Sequence, residues 1–256
     1  MAIPRRITFT TDYGLADGFV AACHGVIAGI APDVPVVDVS HLVPPGDVRR
    51  GALVLAQTLP WFPAGTVHIA VVDPGVGTAR RAIVLRAGGH LLVGPDNGLL
   101  LWAARELGGV REIREIADPA LTLAKVSRTF HGRDVFAPVA AHLALGTPVA
   151  EVGPVVTDPV RLPEPVPGEV LAVDHFGNVQ LAYAVSDFAG VDALWIEAGG
   201  HTYRVPLRST FGDVPSGELV GYEDSAELLA ISVNGGDAAR LLDLRAGDRV
   251  GVSPAT

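Results

Sequence analysis

The sequence predicts an α/β protein whose N-terminal part is a mainly parallel sheet with helices on both faces, followed by a smaller C-terminal β-barrel domain. Strand and helix patterns alternate over residues 6–145, which is typical of a covered parallel sheet. A proline-rich segment follows at 155–167. Beyond it, short strands are separated by Gly, Asn and Asp turns, as in a small barrel or sandwich.

The N-terminal elements are predicted from hydrophobic periodicity. Residues 6–11 form a strand-like run, and residues 17–31 place Phe19, Cys23 and Ile27 on one helical face. Cys23 is the only cysteine, so we expect a buried core thiol and no disulfide. Further strands are predicted at 34–39, 66–72, 82–86 and 91–93, and further helices at 47–59, 98–107 and 131–145.

The proline-rich segment indicates a domain boundary. It contains four prolines, which helices and central strands tolerate poorly. We therefore predict an N-terminal α/β domain at 1–155, a linker at 156–167 and a C-terminal β-barrel domain at 168–256. In the last of these, strands are predicted at 169–173, 179–185, 193–197, 202–205, 228–233 and 249–252, with one helix at 238–242.

Charge and composition exclude several classes of function. The 256 residues carry a formal net charge of −9 and show no basic stripe, so we expect no nucleic-acid partner. No apolar run reaches the roughly 20 residues that span a membrane, and the first residues do not resemble a signal peptide. We expect a cytoplasmic protein that does not bind membranes. The histidines show no ligand spacing, so we expect no metal site.

Polar residues that directly follow strands are the first candidates for a site, because ligands bind beyond the carboxyl ends of parallel strands. Asp12 ends the first strand and could bind both hydroxyls of a ribose, or could form a turn or cap. Asp73 follows the strand at 66–72 and precedes PGVGTARR, where glycines allow a ligand close to the backbone. Either Arg80 or Arg81 could face this site. Asp-Pro-Gly is also a common turn.

Three further segments could carry chemistry. His131, in FHGRD at 130–134, stands where a helix begins and could point its ring into a cleft, or could be structural. Asp96 or Asn97 most simply caps the next helix. Asp174 and Asn178, in DHFGN, could hold an ammonium group and a purine edge, or form a hairpin turn.

Taken together, five segments resemble the S-adenosylmethionine (SAM) hydroxide adenosyltransferases, hydrolytic relatives of the fluorinases and chlorinases. They are TTDYG at 10–14, DPGVGTARR at 73–81, GPDNGLL at 94–100, FHGRDVFAP at 130–138 and DHFGN at 174–178. The resemblance runs over residues 7–252. It implies an α/β domain and a β-barrel domain, and a homotrimer that binds substrate between the N-terminal domain of one subunit and the C-terminal domain of its neighbour.

The resemblance also implies roles for individual residues. It places the Asp–Arg–His set of the hydrolytic members on Asp73, Arg80 and His131, and ribose binding on Asp12. Asp174 and Asn178 would contact the methionine amino group and the adenine or ribose side. The full substrate-binding set expected is Asp12, Phe130, Asp174, Asn178, Phe211, Ser225, Val233 and Gly235.

Departures from the halogenating relatives favour water as the nucleophile. Those relatives have tyrosines at the positions of Asp73 and His131, and fluorinase has a serine at Gly132. A carboxylate repels a halide but accepts a hydrogen bond from water. The resemblance therefore implies hydrolysis of SAM to adenosine and methionine, without metal or other cofactor. A halogenase and a nucleoside-binding protein without turnover are the alternatives.

Overall fold

The computed structural model describes residues 6–255. The chain divides into two compact units, Met1–Leu162 and Pro163–Thr256. Within the described part, no helix combines the length and the hydropathy needed to cross a bilayer.

Unit 1 is built on a six-stranded sheet with the order β2-β1-β3-β5-β4-β6. Its strands are β1 Ile7–Thr11, β2 Val36–Ser40, β3 Val67–Val71, β4 Ala82–Ala87, β5 His90–Pro95 and β6 Val110–Glu115. Strands β2, β1, β3 and β5 are parallel, whereas β4 runs antiparallel to β5 and β6. The mainly parallel sheet is therefore confirmed.

The α-helices among the described residues of this unit are α1 Phe19–Ile30, α2 Val48–Thr58, α3 Leu101–Glu106 and α4 Ala137–Leu145. Residues of α1 and α4 share one hydrophobic core with Ile7 and Phe9, alternate residues of β1 that point to the same face. Helices α2 and α3 pack against each other. A side chain at Gly51 of α2 would meet Leu99 and Val72. The helices thus cover both faces, as predicted.

Unit 2 consists of two antiparallel sheets and the short helix α5, Ala238–Leu242. Its strands are β7 Val170–Val173, β8 Val179–Ala184, β9 Ala193–Ala198, β10 His201–Pro206, β11 Leu219–Glu223, β12 Leu228–Val233 and β13 Gly251–Pro254. The orders are β10-β9-β13 and β11-β12-β8-β7. Among the described residues, the pairing between the two sheets consists of isolated bridges, Glu169 to Arg249 and Leu207 to Gly221, and not of continuous ladders. Within residues 163–255 the expected barrel is therefore not closed.

Two strands were not predicted from the sequence, β6 and β11. Strand β6 reads VREIRE and lies at the sheet edge, where only Ile113 is fully buried, so it has little hydrophobic signal. Strand β11 contains Gly221 at a close approach to Leu207, and glycine lowers strand propensity.

The sheet register brings the first candidate residues together. Strands β1 and β3 are parallel neighbours, with Thr11 opposite Val71. Asp12 directly follows Thr11, and Asp73 lies two residues after Val71. Both carboxylates therefore lie at the carboxyl ends of adjacent strands, where open α/β sheets bind ligands.

Candidate functional site

A cavity of about 290 Å³ opens at the carboxyl ends of β1 and β3. It is lined by Asp12, Tyr13, Gly46, Val71, Asp73, Pro74, Val76, Thr129, His131 and Gly132. Val71 is the last residue of β3, and the others come from the loops that follow β1, β2 and β3 and from the segment before α4. A cavity of this kind, with a few convergent polar groups, is the usual form of a small-molecule site.

Asp73, Arg80 and His131 form one hydrogen-bonded group at this cavity. The Nε of Arg80 donates to one carboxylate oxygen of Asp73 at 3.1 Å, and its Nη2 donates to the other. The same Nη2 lies 3.0 Å from Nδ1 of His131. The Asp73 and Arg80 side chains are only 4% and 7% exposed. The structure therefore brings together the three residues that the sequence suggested for catalysis.

The partner of His131 determines which of its nitrogens carries a proton. A guanidinium only donates hydrogen bonds, so Nδ1 of His131 accepts and the neutral ring carries its proton on Nε2. Burial, and then the positive charge of Arg80, lower the pKa of His131 below its ordinary value. At neutral pH His131 is therefore an uncharged N–H donor at Nε2.

Asp12 is held by the loop that precedes α2. The backbone N–H of Gly46 donates to one of its carboxylate oxygens at 2.8 Å. Gly46 has φ +74, a conformation that side chains disfavour, so glycine suits this turn. The carboxylate keeps further lone pairs that can accept hydrogen bonds from a ligand.

Tyr13 is a cavity residue that the sequence reasoning did not select. A Cβ on Gly132 would lie 2.0 Å from the Tyr13 hydroxyl, so this hydroxyl occupies the space beside Gly132. Burial raises the pKa of Tyr13 well above its ordinary value, which keeps the hydroxyl protonated. Its only sequence signal is its position directly after Asp12.

Phe130 packs beside the cavity rather than lining it. Its ring makes edge contacts with Tyr13 and Phe19, at centroid distances of 5.8 and 5.3 Å, and the Arg133 guanidinium lies over its face. The structure thus shows that Phe130 packs against Tyr13, a residue of the cavity lining.

The loop that carries His131 is fixed by Asp134. The buried Asp134 accepts hydrogen bonds from Arg133 and from the backbone N–H of Ser127. Burial alone would raise the pKa of Asp134, but these hydrogen bonds outweigh it and lower the pKa. Residues Gly132–Phe136 form a π-helical turn before α4, an irregularity often found at functional sites. The contacts of Arg133 and Asp134 therefore orient the loop that carries His131.

Arg81 and Asp96 form ion pairs that hold the structure together and do not line the cavity. Arg81 pairs with Asp96 and Asp158, and Asp96 also accepts the backbone N–H of Val160. Arg81 therefore anchors the segment near the end of unit 1 and is not simply solvated. It is Asn97, through its side-chain oxygen, that accepts the N–H of Leu99 near the start of α3.

In unit 2, Asp174 organises the turn between β7 and β8. One carboxylate oxygen accepts the backbone N–H groups of Phe176 and Asn178, and the other accepts the Asn178 amide at 2.7 Å. The oxygen of the Asn178 amide accepts the Ser232 hydroxyl. The turn interpretation of this motif is thus correct, and the turn places a carboxylate and an amide side by side.

The remaining candidates of unit 2 do not all lie together. Val233 ends β12 and Gly235 follows it, at the end next to Asn178. The Phe211 ring packs on Tyr222, whose hydroxyl lies 3.3 Å from the Ser232 hydroxyl. Ser225 lies in the turn between β11 and β12, at the other end of β12. The side chain of its neighbour Asp224 nevertheless accepts a hydrogen bond from the amide of Gln180, which lies two residues after Asn178.

Two family models match the chain. The SAM hydroxide adenosyltransferase N-terminal domain matches residues 7–153, and the corresponding C-terminal domain matches residues 168–251. Together these matches cover most of the chain.

Known relatives agree with these matches. The chain is 58% identical to a protein of Salinispora arenicola named (R)-S-adenosyl-L-methionine hydrolase, with 99% of each chain covered. The protein of the same name from Thermus thermophilus is 45% identical, and the match covers 95% of this chain and 97% of that one. A fluorinase of Actinoplanes sp. is 32% identical, and the match covers 97% of each chain. A solved structure of an uncharacterized conserved protein from Thermotoga maritima is 39% identical, has a TM-score of 0.92, and is matched over 96% of this chain and 100% of that chain. The chain belongs to the SAM hydroxide adenosyltransferase family.

Proposed function

We propose that this protein hydrolyses S-adenosylmethionine to adenosine and methionine. The observation that carries the proposal is the hydrogen-bonded Asp73–Arg80–His131 group at the cavity, in which the Asp73 and Arg80 side chains are nearly fully buried. It offers a hydrogen-bond acceptor for water, a fixed positive charge and a neutral N–H donor within one small volume. The relatives at 45–58% identity, which are named (R)-S-adenosyl-L-methionine hydrolase, support the same reaction and favour the (R) form of the sulfonium as substrate.

The chemical difficulty of this reaction lies in the nucleophile. A sulfonium is already a good leaving group, whereas neutral water attacks carbon weakly. A water beside Asp73 donates a hydrogen bond to the carboxylate, and the Arg80 guanidinium stabilises the negative charge that develops on its oxygen. His131 Nε2–H supplies a further donor. Displacement requires this water about 3–3.5 Å from C5′, opposite the sulfur.

The displacement balances without a redox step. The bond between the water oxygen and C5′ forms while the bond from C5′ to sulfur breaks, and the electron pair of that bond stays on the sulfur of methionine. The water proton leaves through the Asp73 carboxylate to solvent. Because a developing hydroxide and a sulfonium neutralise each other, a dry site favours the transition state. No cofactor or metal takes part in the reaction as proposed.

Substrate contacts are part of the same proposal. Asp12 binds the ribose hydroxyls at the cavity of unit 1. Asp174 and Asn178 bind the amino group and the adenine or ribose side, with Phe211, Val233 and Gly235 at the adenine. Ser225 binds the methionine end, and Phe130 supports the pocket through Tyr13.

We further propose a homotrimer in which the substrate lies between unit 1 of one subunit and unit 2 of its neighbour. Every residue that lines the cavity belongs to unit 1, whereas the proposed adenine contacts belong to unit 2. Exposed apolar side chains in the loops after β1 and β2, Leu15 and Leu42, favour a covering partner. A cytoplasmic location is consistent with the single, buried thiol.

Two alternatives compete with hydrolysis. The fluorinase relatives are more distant, and the charged Asp73 would repel a halide, so we place halogenation second. A binding protein without turnover would need no hydrogen-bonded Asp–Arg–His group.

The decisive experiment separates the products formed from each sulfonium epimer in halide-free buffer and then with chloride or fluoride. Adenosine and methionine in equal amounts, whatever the halide, is the expected result, with faster turnover of the (R) epimer. A halogenated nucleoside would instead identify a halogenase, and intact substrate would identify a binding protein.

A variant of Asp73 tests the role of the Asp73–Arg80–His131 group. Asp73→Asn keeps the size of the side chain but removes the charge, and we expect kcat to fall by about 10²–10⁴. Glu106→Gln removes a carboxylate from the exposed end of α3 and should keep full activity. An Asp73→Asn variant with the kcat of the parent would contradict the role of Asp73.

A further inference from the structure

A second cluster of potential ligands lies beside the first strand, outside the cavity lining. His24 comes from α1, Asp38 from β2 and His41 from the loop after β2. Nε2 of His24 lies 2.9 Å and Nε2 of His41 lies 3.1 Å from the same oxygen of Asp38. The three ligand atoms all lie within 4.8 Å of one another.

His41 carries the second, independent observation. Its side chain is only 3% exposed, and its buried Nε2 makes no hydrogen bond of acceptable geometry, although the Asp38 oxygen is near. Buried polar atoms without a partner are rare and require an explanation. This nitrogen points to a ligand that the hydrogen bonds do not supply.

The other ring nitrogen of His41 is held as metal-binding histidines usually are. Nδ1 lies 2.8 Å from the Thr11 hydroxyl, which also accepts the Tyr13 backbone N–H. A hydroxyl oxygen has two lone pairs, so it can accept the Nδ1 proton as well. That arrangement leaves the Nε2 lone pair directed at Asp38 and ready to bind a cation, in the pattern of outer-shell support.

From this geometry we propose that His24, Asp38 and His41 bind a divalent transition-metal ion of the zinc class. Zinc bonds of about 2.0–2.2 Å place neighbouring ligand atoms roughly 3–3.5 Å apart, close to the two distances observed. Two imidazoles and one carboxylate suit zinc and its neighbours rather than magnesium or calcium, which prefer oxygen ligands. Asp38 and His24 are partly exposed, so water can complete the coordination.

Such an ion would stabilise the structure rather than react. It would connect α1, the edge strand β2 and the loop after it. The backbone carbonyl of His41 accepts the N–H of Gly14 at 2.7 Å, and Thr11 directly precedes Asp12, so the ion would stiffen the segment that carries Asp12. Sequence spacing gave no sign of this cluster, because its members come from three different elements.

The test is zinc titration of metal-stripped full-length protein by calorimetry, with thermal unfolding as a second readout. We expect one ion per chain and a higher melting temperature with zinc. Asp38→Asn and His24→Ala should each weaken binding at least about tenfold and abolish the rise in melting temperature. Both positions are partly exposed, so both variants should fold, which circular dichroism checks.

A matched control and a spectroscopic probe separate this site from adventitious binding. His201→Ala removes an exposed histidine of unit 2 and should bind zinc as the parent does. Cobalt at the site should give visible ligand-field absorption that is lost in His24→Ala. Absence of saturable binding, or equal affinity in parent and Asp38→Asn, would overturn the proposal and leave a cluster in which Asp38 only accepts hydrogen bonds.

Discussion

At the scale of single residues, the contact between Tyr13 and Gly132 shapes the cavity most directly. The hydroxyl of Tyr13 lies where a side chain at Gly132 would begin. The Tyr13 ring is held by contacts with the rings of Phe9, Phe19 and Phe130, so it has little freedom to move away. Glycine at 132 and tyrosine at 13 are therefore a matched pair.

We predict that Gly132→Ser destabilises the protein by about 1–3 kcal/mol, because it overpacks this contact. Tyr13→Phe in the same chain should recover much of that loss, because the next ring atoms lie 3.0 and 3.2 Å from the new Cβ instead of 2.0 Å. Urea unfolding of both single variants and the double variant measures the coupling. Strictly additive effects would show that the hydroxyl is not what restricts position 132.

At the scale of elements, helix α2 supports the cavity through its first turn. The Asp47 side chain caps the helix by accepting the N–H of Arg50 at 2.8 Å. Gly46, directly before this cap, donates its N–H to Asp12. The start of α2 therefore determines where the Asp12 partner lies.

Replacing the cap should affect both stability and substrate binding. We expect Asp47→Ala to lower the free energy of unfolding by about 1 kcal/mol and to raise the KM for the substrate. Asp118→Ala removes a similar cap, from the turn Pro119–Leu121, and should leave KM unchanged. Denaturant titration and initial-rate kinetics measure the two quantities. If Asp47→Ala and Asp118→Ala had the same KM, the start of α2 would not determine how Asp12 binds the substrate.

Strands β3 and β5 share a buried histidine pair at the opposite end of the sheet. His68 Nδ1 lies 2.7 Å from the Thr8 hydroxyl, and its Nε2 lies 3.1 Å from Nδ1 of His90. Burial, and then the proximity of His90, lower the pKa of His68 from 6.5 to about 3. His68 is therefore neutral in the folded protein at all mildly acidic pH values.

This shift predicts acid sensitivity with a definite sign. Above pH 6.5 neither state protonates His68, whereas between pH 6.5 and about 3 only the unfolded state does, so stability falls as pH is lowered through this window. Between pH 6.5 and about 3, the parent should lose a few kcal/mol of unfolding free energy through His68, and His68→Gln should not show this loss. Replacing the exposed His201 by Gln should leave the loss unchanged. Unfolding free energies at several pH values test this. Identical slopes in the parent and His68→Gln would refute it.

At the scale of the whole molecule, the proposed trimer predicts a molecular mass in solution and an apolar contact surface between subunits. Light scattering should give about 80 kDa for a chain of 26.5 kDa. Leu42→Asp places a charge on an exposed apolar residue next to His41, in the loop after β2, and should lower both trimer content and activity. Leu145→Asp, at the far end of α4, should change neither. A fully active monomer would refute the trimer.

The sequence predicted much of the fold, but with uneven success. Strong periodicity located α1 and α2 to within one or two residues, whereas the charged edge strand β6 escaped notice because it buries little. The β-barrel predicted for unit 2 is not closed in the structure, because single bridges and not continuous ladders join its two sheets. Local patterns report burial along one segment and carry little information on pairing between segments.

By itself, the sequence determined the alternation of strands and helices, the family and the residue types of the candidate site. These follow from local periodicity and from motifs that can be read one after another. Only the tertiary structure decided that Arg80 joins Asp73 and His131 while Arg81 anchors Asp158, and that Tyr13 closes over Gly132. Such contacts depend on strand order and register, which bring distant residues together and which no single segment encodes.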